Sequence, residues 1–134
     1  MMRQLALELV NPADPTFENF IPGRNAEARQ RLEALAAGRS DEIYVYLWGV
    51  AGSGRTHLLQ ATSAAMRGSG RRCEYVACDG GTRAMPPTHD VACLLVDDVE
   101  RLPAEGQIAL FNAYNALRER GAALVAAGDA PAVQ

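Results

Sequence analysis

The fold of this chain is decided by one stretch, YVYLWGVAGSGRT, at residues 44–56. An apolar and aromatic run ends in a glycine-rich loop, and a helical pattern at residues 57–66 follows at once. Gly49 and Gly54 occupy the two glycine positions of the phosphate-binding pattern G-x-x-x-x-G-K-[ST]. Glycine suits them because the backbone must turn tightly and bring its N–H groups close to phosphate oxygens. The stretch therefore predicts a strand, a phosphate-binding loop and a helix in succession.

One residue of the loop departs from this pattern, because Arg55 stands where lysine is expected. Arginine keeps the positive charge but is a planar fork, so the exchange is not neutral. The chain contains 13 arginines and no lysine, so compositional drift is one available explanation. The start of the helix offers free N–H groups to a phosphate, and the hydroxyl of Thr56 is placed to reach a magnesium ion. The residues predicted to contact a nucleotide here are Gly49, Gly52, Ser53, Gly54, Arg55, Thr56 and His57. The alternative is a glycine-rich turn that binds nothing.

Length and composition indicate a single globular domain. The chain has 134 residues, of which 49% are hydrophobic, and its net charge of −3 does not favour direct nucleic-acid binding. No apolar run is long enough for a membrane span, and the N-terminus does not resemble a signal peptide. The three cysteines lack metal-binding spacing. These features together predict a cytoplasmic protein that does not associate with membranes.

The second informative stretch is VACLLVDD at residues 91–98. A continuous apolar run is typical of a strand that is buried on both faces of a parallel sheet. The two acids at its end lie where open α/β sheets bind ligands. We expect Asp97 to hold the metal, directly or through water, and Asp98 to orient or polarise an attacking water. The alternative is a pair of solvated acids that ends a strand.

The remaining patterns alternate between strands and helices. Further strands are predicted at residues 73–77 and 122–127, and the last is followed by Gly128 and Asp129. Further helices are predicted at residues 26–37 and from Pro103 onward. Such alternation predicts an α/β fold, in which a parallel sheet carries helices on both faces.

The N-terminal segment admits two interpretations. Leu5, Leu7 and Leu9 alternate within QLALEL at residues 4–9, so an extended backbone places all three on one side. A short apolar peptide of this kind suits docking on another protein, and it equally suits an edge strand of the domain. Two prolines at residues 10–15 indicate a linker, so we expect an extended peptide and linker at residues 1–15 and a nucleotide-binding domain at residues 16–134.

In combination these motifs are specific. The chain resembles the nucleotide-binding part of the DnaA/Hda family of AAA+ ATPases, and its Hda-like members most closely. Arginine at the lysine position is itself an Hda-like trait. The stretches that carry the resemblance are QLALEL at 4–9, TFENFIPG at 16–23, YLW at 46–48, GRTHLL at 54–59, LFNAYN at 110–115 and AGDAP at 127–131.

The resemblance implies functional roles beyond those of the loop. It implies that residues 17–25, including Phe20, lie beside the adenine and ribose of ADP or ATP bound with Mg²⁺. It implies that Asp129 occupies the first sensor position and contributes to catalysis. The segment at residues 4–9 is then implied to bind the DNA polymerase sliding clamp through Gln4, Leu5, Leu7 and Leu9. Such a protein docks on clamp loaded on DNA, promotes ATP hydrolysis by DnaA and prevents repeated initiation; homo-oligomerisation stays open.

Two departures from the family pattern matter. Asp98 makes the acidic pair more like that of DnaA than the Asp-Asn arrangement of Hda. The family's last strand, arginine finger and helical lid have no counterpart before residue 134, so we expect an incomplete AAA+ core. The alternatives to an Hda-like regulator are a DnaA-like or free-standing phosphate-loop ATPase, a small kinase, and a clamp-binding interaction module with a vestigial nucleotide site.

Overall fold

The computed structural model describes residues 2–6 by their backbone and residues 26–49 and 54–129 in detail. The strands are β1 (Met2–Ala6), β2 (Tyr44–Trp48), β3 (Cys73–Ala77), β4 (Cys93–Asp97) and β5 (Ala123–Gly128). The helices are α1 (Ala26–Ala36), α2 (Arg55–Gly68) and α3 (Ala104–Glu119), with a short 3-10 helix at Val99–Arg101. Strands and helices alternate along the described chain as the sequence pattern predicts, except that β4 follows β3 without a helix between them.

The five strands form one parallel sheet in the order β1-β2-β5-β4-β3. Strand β5, the last along the described chain, lies between β2 and β4. Because all strands are parallel, the loop after β2 and the acids after β4 reach the same edge of the sheet. The predicted parallel α/β fold is therefore confirmed, and its topology brings the two informative stretches together.

Alternating side chains of the central strands divide the core into two layers. Cys93 and Leu95 of β4 pack with α1 and α2, whereas Leu94 and Val96 pack with α3 on the other face. All four of these side chains have 0% exposure. A strand buried on both faces needs apolar residues at every position, which explains the continuous apolar run of the sequence. The prediction of helices on both faces is confirmed.

The N-terminal segment enters the sheet. Met2–Ala6 pairs in parallel with β2, in a register that aligns Gln4 with Tyr46 and Leu5 with Leu47. Of the two interpretations of this segment, the pairing favours the edge strand for these five residues. The sheet thus has one strand more than the four interior patterns predict. Leu7 and Leu9 lie outside the described residues.

The described part of the chain contains no helix of the length and apolar character needed to cross a bilayer.

α3 begins after Pro103, which has extended backbone angles (φ −69°, ψ 170°) and stands just before the first helical residue. Glycines end two segments in left-handed conformations, at Gly38 after α1 (φ 75°) and at Gly121 after α3 (φ 71°). Local sequence signals therefore set the ends of these helices.

Candidate functional site

The candidate site lies where β2, β4 and β5 end. The N–H of Gly49 donates a hydrogen bond to the carbonyl oxygen of Gly128 at 3.1 Å, which joins the ends of β2 and β5. Gly54 precedes α2 in the left-handed region, with φ 97° and ψ 1°. Its carbonyl accepts the first helical hydrogen bond, from the N–H of Leu58 at 2.9 Å. A glycine at this turn avoids the steric cost that a side chain has at positive φ. The loop thus leads directly into the free N–H groups of a helix.

Asp97 links three elements at the centre of the site. Its side chain is 1% exposed. Its Oδ2 accepts hydrogen bonds from the hydroxyl of Thr56, at 2.5 Å, and from the hydroxyl of Tyr75, at 2.9 Å. Its Oδ1 accepts the backbone N–H of Asp98 at 3.0 Å. A buried carboxylate needs such donors, because burial without them is costly. The predicted magnesium ligands Thr56 and Asp97 are therefore brought into contact.

Tyr75 is a member of this network that the sequence patterns do not reveal. Burial raises its pKa, and the nearby charge of Asp97 and the hydrogen bond to it act in the same direction. The phenol therefore stays protonated and donates to the carboxylate. The strand register explains its position: Ala77 of β3 aligns with Asp97, and Tyr75 lies two residues earlier on the same face. Only knowledge of which strand neighbours β4 would have identified it.

The guanidinium of Arg55 is enclosed by the protein itself. Its side chain is 7% exposed. Nη1 donates to the carbonyl oxygen of Gly49 at 2.6 Å, and Nη2 donates to Oδ1 of Asp98 at 2.7 Å. Nε lies 3.8 Å from Oδ1 of Asp97, and Nη2 lies 3.7 Å from Oε2 of Glu100. The residue predicted to contact phosphate is here engaged with a carbonyl and three carboxylates.

Asp98 follows β4 in the left-handed conformation, with φ 57° and ψ 44°, and is the only non-glycine residue with positive φ in the part of the chain that the structure describes. Aspartate tolerates this region better than most residues, yet such a conformation is uncommon and concentrates at functional sites. Its carboxylate, predicted to orient a water, accepts the hydrogen bond from Arg55. The assignment of Asp98 as a catalytic residue stays a prediction.

Glu100, in the 3-10 helix, reaches the end of β5. Its Oε1 accepts the backbone N–H of Asp129 at 3.2 Å. The approach requires glycine at position 128, since a Cβ there would lie 2.4 Å from Oη of Tyr46 and 3.3 Å from Oε1 of Glu100. Burial raises the pKa of Tyr46, and the charges of Glu100 and Asp129 raise it further. Glu100 thus contacts both Arg55 and the backbone of Asp129.

Several predicted residues join the site less directly or lie outside it. His57 is 7% exposed within the first turn of α2. The side chain of Asp129, the predicted sensor, is exposed at the end of β5. Gln4 and Leu5 lie in β1. The predicted contacts Phe20, Gly52 and Ser53, like the predicted clamp ligands Leu7 and Leu9, lie outside the described residues.

The oxygen atoms of Thr56 and Asp97 are suitable ligands for a magnesium ion. The phosphate oxygens of a bound ligand would complete its coordination. Magnesium favours hard oxygen ligands and often takes only one or two from the protein. Among the residues described, no group of three or more His, Cys, Asp or Glu side chains is arranged to hold a metal ion without such help.

Comparisons with known proteins relate the chain to bacterial replication proteins. The family model described as the bacterial DnaA ATPase domain matches residues 12–134. A structure titled as that of a DNA replication initiation factor is 31% identical, with a TM-score of 0.75, and the match covers 92% of this chain and 43% of that one. AMPPCP-bound DnaA from Aquifex aeolicus is 27% identical, with a TM-score of 0.70, over 92% of this chain and 44% of that chain. The chain therefore spans less than half the length of these two relatives.

Two further structures extend the comparison. Domain III of the Thermotoga maritima replication initiation protein DnaA is 26% identical, with a TM-score of 0.68, over 90% of this chain and 58% of that one. The Thermotoga maritima RuvB branch migration motor is 17% identical, with a TM-score of 0.53, over 86% of this chain and 40% of that one. At that identity, the second match shows a shared fold and nothing more.

Proposed function

Because the chain belongs to the family of the bacterial DnaA ATPase domain, we propose that it binds ADP or ATP with Mg²⁺ and regulates the initiation of DNA replication. The observation that carries nucleotide binding is the 2.5 Å contact between the hydroxyl of Thr56 and the carboxylate of Asp97. It brings two hard oxygen ligands from separate elements to the start of a helix, beside the glycine-rich loop. Its relative from Aquifex aeolicus, which binds the ATP analogue AMPPCP, supports an adenine nucleotide as the ligand.

Each part of the site has a role in this proposal. The N–H groups at the start of α2 bind phosphate oxygens, as free helix N-termini commonly do. Thr56 and Asp97 would hold Mg²⁺, which would neutralise part of the phosphate charge. Tyr75 orients Asp97 through its hydrogen bond. Asp98 orients a water and Asp129 contacts the terminal phosphate, provided that Asp98 is first released from Arg55.

Nucleotide binding is tested by thermal unfolding with ADP or ATP, each with and without magnesium. A ligand that binds only the folded state stabilises it by about 2.7 kcal/mol at roughly 100 times the dissociation constant. We expect Thr56→Val to abolish the additional stabilisation by magnesium. Thr62→Val is the matched control, since the hydroxyl of Thr62 bonds the carbonyl of Leu58 within the same helix.

The absence of any shift with millimolar nucleotide would refute nucleotide binding. A magnesium effect that Thr56→Val leaves intact would instead refute the assignment of Thr56 as a metal ligand while nucleotide binding stands. The two failures are therefore distinguished within one set of measurements.

The regulatory part of the proposal is that this protein promotes ATP hydrolysis by DnaA rather than acting on a substrate of its own. Its support is the Hda-like sequence pattern, together with the family relationship to a replication initiation factor. The assay measures ATP hydrolysis by DnaA in the presence of this protein and clamp-loaded DNA. Turnover of ATP by this protein without DnaA would favour the alternative, a free-standing ATPase.

Clamp tethering is the second regulatory element that we propose. In this scheme residues 1–15 form the tether, residues 16–134 form the nucleotide-binding domain, and Gln4, Leu5, Leu7 and Leu9 contact the sliding clamp. The sequence pattern supports it, whereas the pairing of Met2–Ala6 with β2 opposes it, because Gln4 and Leu5 must then leave the sheet. Clamp binding therefore carries the cost of releasing an edge strand.

The tether is tested with the whole chain and a purified clamp. We expect the double substitution Leu7→Ala and Leu9→Ala to abolish clamp binding, because each leucine buried in a partner contributes about 1.5–3 kcal/mol. ADP binding serves as the control and is expected to be unchanged. Equal clamp affinity of the wild type and the double variant would exclude the tether and leave β1 as a purely structural strand.

A further inference from the structure

The feature of the site that departs most from the expected phosphate contact is that both arms of the Arg55 guanidinium are bonded to protein acceptors. A guanidinium carries five N–H groups in a planar fork. One arm of this fork bonds the carbonyl of Gly49 at 2.6 Å and the other bonds Asp98 at 2.7 Å. The side chain is 7% exposed. A phosphate that is to take either of these two N–H groups must displace an acceptor that the protein already supplies.

The charge around Arg55 points in the same direction. Three carboxylates, those of Asp97, Asp98 and Glu100, lie within 4.0 Å of this one guanidinium. Such a group of acids repels a polyphosphate unless cations compensate for it. The repulsion acts over a short distance in a partly buried site, where salt screens charges poorly.

Arginine is required for this arrangement. A lysine ammonium is a compact charge on a flexible stem, whereas the guanidinium is a rigid fork that bonds two acceptors at once. Here the fork joins the start of the loop, at Gly49, to the residue after β4, at Asp98. The exchange of lysine for arginine thus has a structural consequence that compositional drift does not account for.

The two outer acids come from one turn of the chain. Asp98 enters this turn with left-handed backbone angles, and its N–H is held by Asp97 at 3.0 Å. The 3-10 helix that follows carries Glu100, whose other oxygen accepts the N–H of Asp129 at 3.2 Å. The turn that holds Arg55 is therefore anchored at both of its sides.

We propose that Asp98 and Glu100 form an acidic latch, which holds Arg55 away from the nucleotide and competes with its phosphates. The proposal rests on the proposed nucleotide site and concerns its regulation. In the latched state the site binds nucleotide weakly, through the loop and helix N–H groups. Release of Arg55 to the phosphates frees the carboxylate of Asp98 for its proposed role beside the attacking water. Nucleotide binding and the availability of Asp98 are thereby coupled.

The latch reverses the usual expectation for an acidic residue in an active site, since its removal strengthens nucleotide binding. Asp98→Asn keeps a residue that tolerates the left-handed conformation and removes the charge. We expect about ten-fold tighter ADP binding, the size of one hydrogen bond to a charged group. We expect about three-fold tighter binding for Glu100→Gln, because its ion pair with Arg55 is longer, at 3.7 Å rather than 2.7 Å.

A general loss of negative charge would also tighten binding, so the experiment must separate the two causes. ADP binding in the presence of Mg²⁺ is measured by calorimetry for the full chain and for each substitution alone and combined with Arg55→Met. If the acids act by holding Arg55, Asp98→Asn and Glu100→Gln lose their effect in the Arg55→Met background. Glu105→Gln is the charge control. Glu105 lies on α3 and pairs at 3.5 Å with the exposed Arg83.

Urea unfolding without nucleotide gives the free energies of unfolding for a double-mutant cycle of Arg55→Met and Asp98→Asn, independently of any ligand. Coupling between the two substitutions in this cycle, together with tighter ADP binding by Asp98→Asn, supports the latch. ADP binding by Asp98→Asn that is equal to or weaker than that of the wild type overturns it. A gain in ADP affinity from Asp98→Asn that is equally large in the Arg55→Met background overturns it as well. If the wild type and all variants fail to bind ADP, the proposed nucleotide site falls and the latch falls with it.

Discussion

Arg31 and Arg55 each pair with more than one carboxylate, and their surroundings differ sharply. Arg31, in α1, contacts Glu27 one turn earlier at 3.1 Å and Glu42 at 3.0 Å, and its side chain is 30% exposed. Arg55 contacts Asp98 at 2.7 Å and is 7% exposed. The distances are similar, yet exposed pairs are screened and contribute little, whereas a partly buried pair determines where its members can lie. Burial, rather than the number of contacts, therefore distinguishes the pairs of Arg55 from those of Arg31.

The largest expected effect comes from removing each arginine in turn. Arg55→Met leaves the acids that surround it without their cation, and the free energy of unfolding should fall by about 3 kcal/mol. Arg31→Met removes one exposed pair and one half-buried pair of a more exposed arginine, and should lower it by about 1 kcal/mol. Urea unfolding at neutral pH measures both. Equal losses for the two variants would contradict the contrast between the buried and the exposed arginine.

A smaller loss of stability is expected at Gly128, where the backbone approaches the turn that carries Val99 and Glu100. Gly128→Ala places a Cβ 2.4 Å from Oη of Tyr46 and 3.2 Å from Cγ2 of Val99, so neighbouring groups must shift. We expect a loss of about 2 kcal/mol, typical of overpacking. Gly68→Ala is the matched control: it ends α2, and a Cβ there meets no atom within 4 Å. That control should stabilise the protein by about 0.5–1 kcal/mol, since alanine favours a helix.

The signs of these two alanine substitutions should therefore be opposite. Chemical denaturation of both variants under one set of conditions provides the check. A stabilising Gly128→Ala would mean that the turn carrying Glu100 does not lie against the end of β5.

The smallest of the three effects sharpens the comparison at a single hydroxyl. Tyr75→Phe removes one donor to the buried Asp97 and should cost about 1.5 kcal/mol, as expected for a hydrogen bond to a charged group. Tyr114→Phe, on the opposite face of the sheet, controls for the loss of a phenol hydroxyl. Thermal unfolding with each substitution gives the difference, and equal losses would argue against a special contribution of the contact with Asp97.

The pH dependence of stability offers a second measure of Tyr75. Its pKa is raised above the ordinary value of 10.0, because burial and Asp97 disfavour the phenolate. The unfolded chain therefore loses this proton first as the pH rises. The contribution is complete below about pH 10 and is lost at higher pH. Above about pH 10, Tyr75→Phe should show a weaker loss of stability with rising pH than the wild type.

Much of the architecture could be predicted because its signals are local. The apolar run before Asp97 predicts a strand buried on both faces, and glycines and a proline mark the ends of helices. The phosphate-binding pattern predicts that Thr56 and Asp97 share a site, and the two are 2.5 Å apart. Periodicity and turn residues act over a few positions, so one sequence suffices to recognise them.

The N-terminal segment shows where this reasoning ends. Alternation of leucines is compatible with a docking peptide and with an edge strand, and the pairing of Met2–Ala6 with β2 distinguishes them for these residues. A pairing partner is a property of the whole sheet, which a six-residue pattern does not contain.

By itself, the sequence determined the kind of site: a glycine-rich loop before a helix, a hydroxyl at Thr56 and acids at the end of a buried strand. The tertiary structure alone decided what these groups contact. It placed Tyr75 on Asp97 and Glu100 on Asp129, and it turned Arg55 toward Asp98. The physical reason is that strand order and register bring together residues far apart in the chain, and burial then requires each charge to find an opposite charge or a donor. No spacing rule along the chain encodes those pairings.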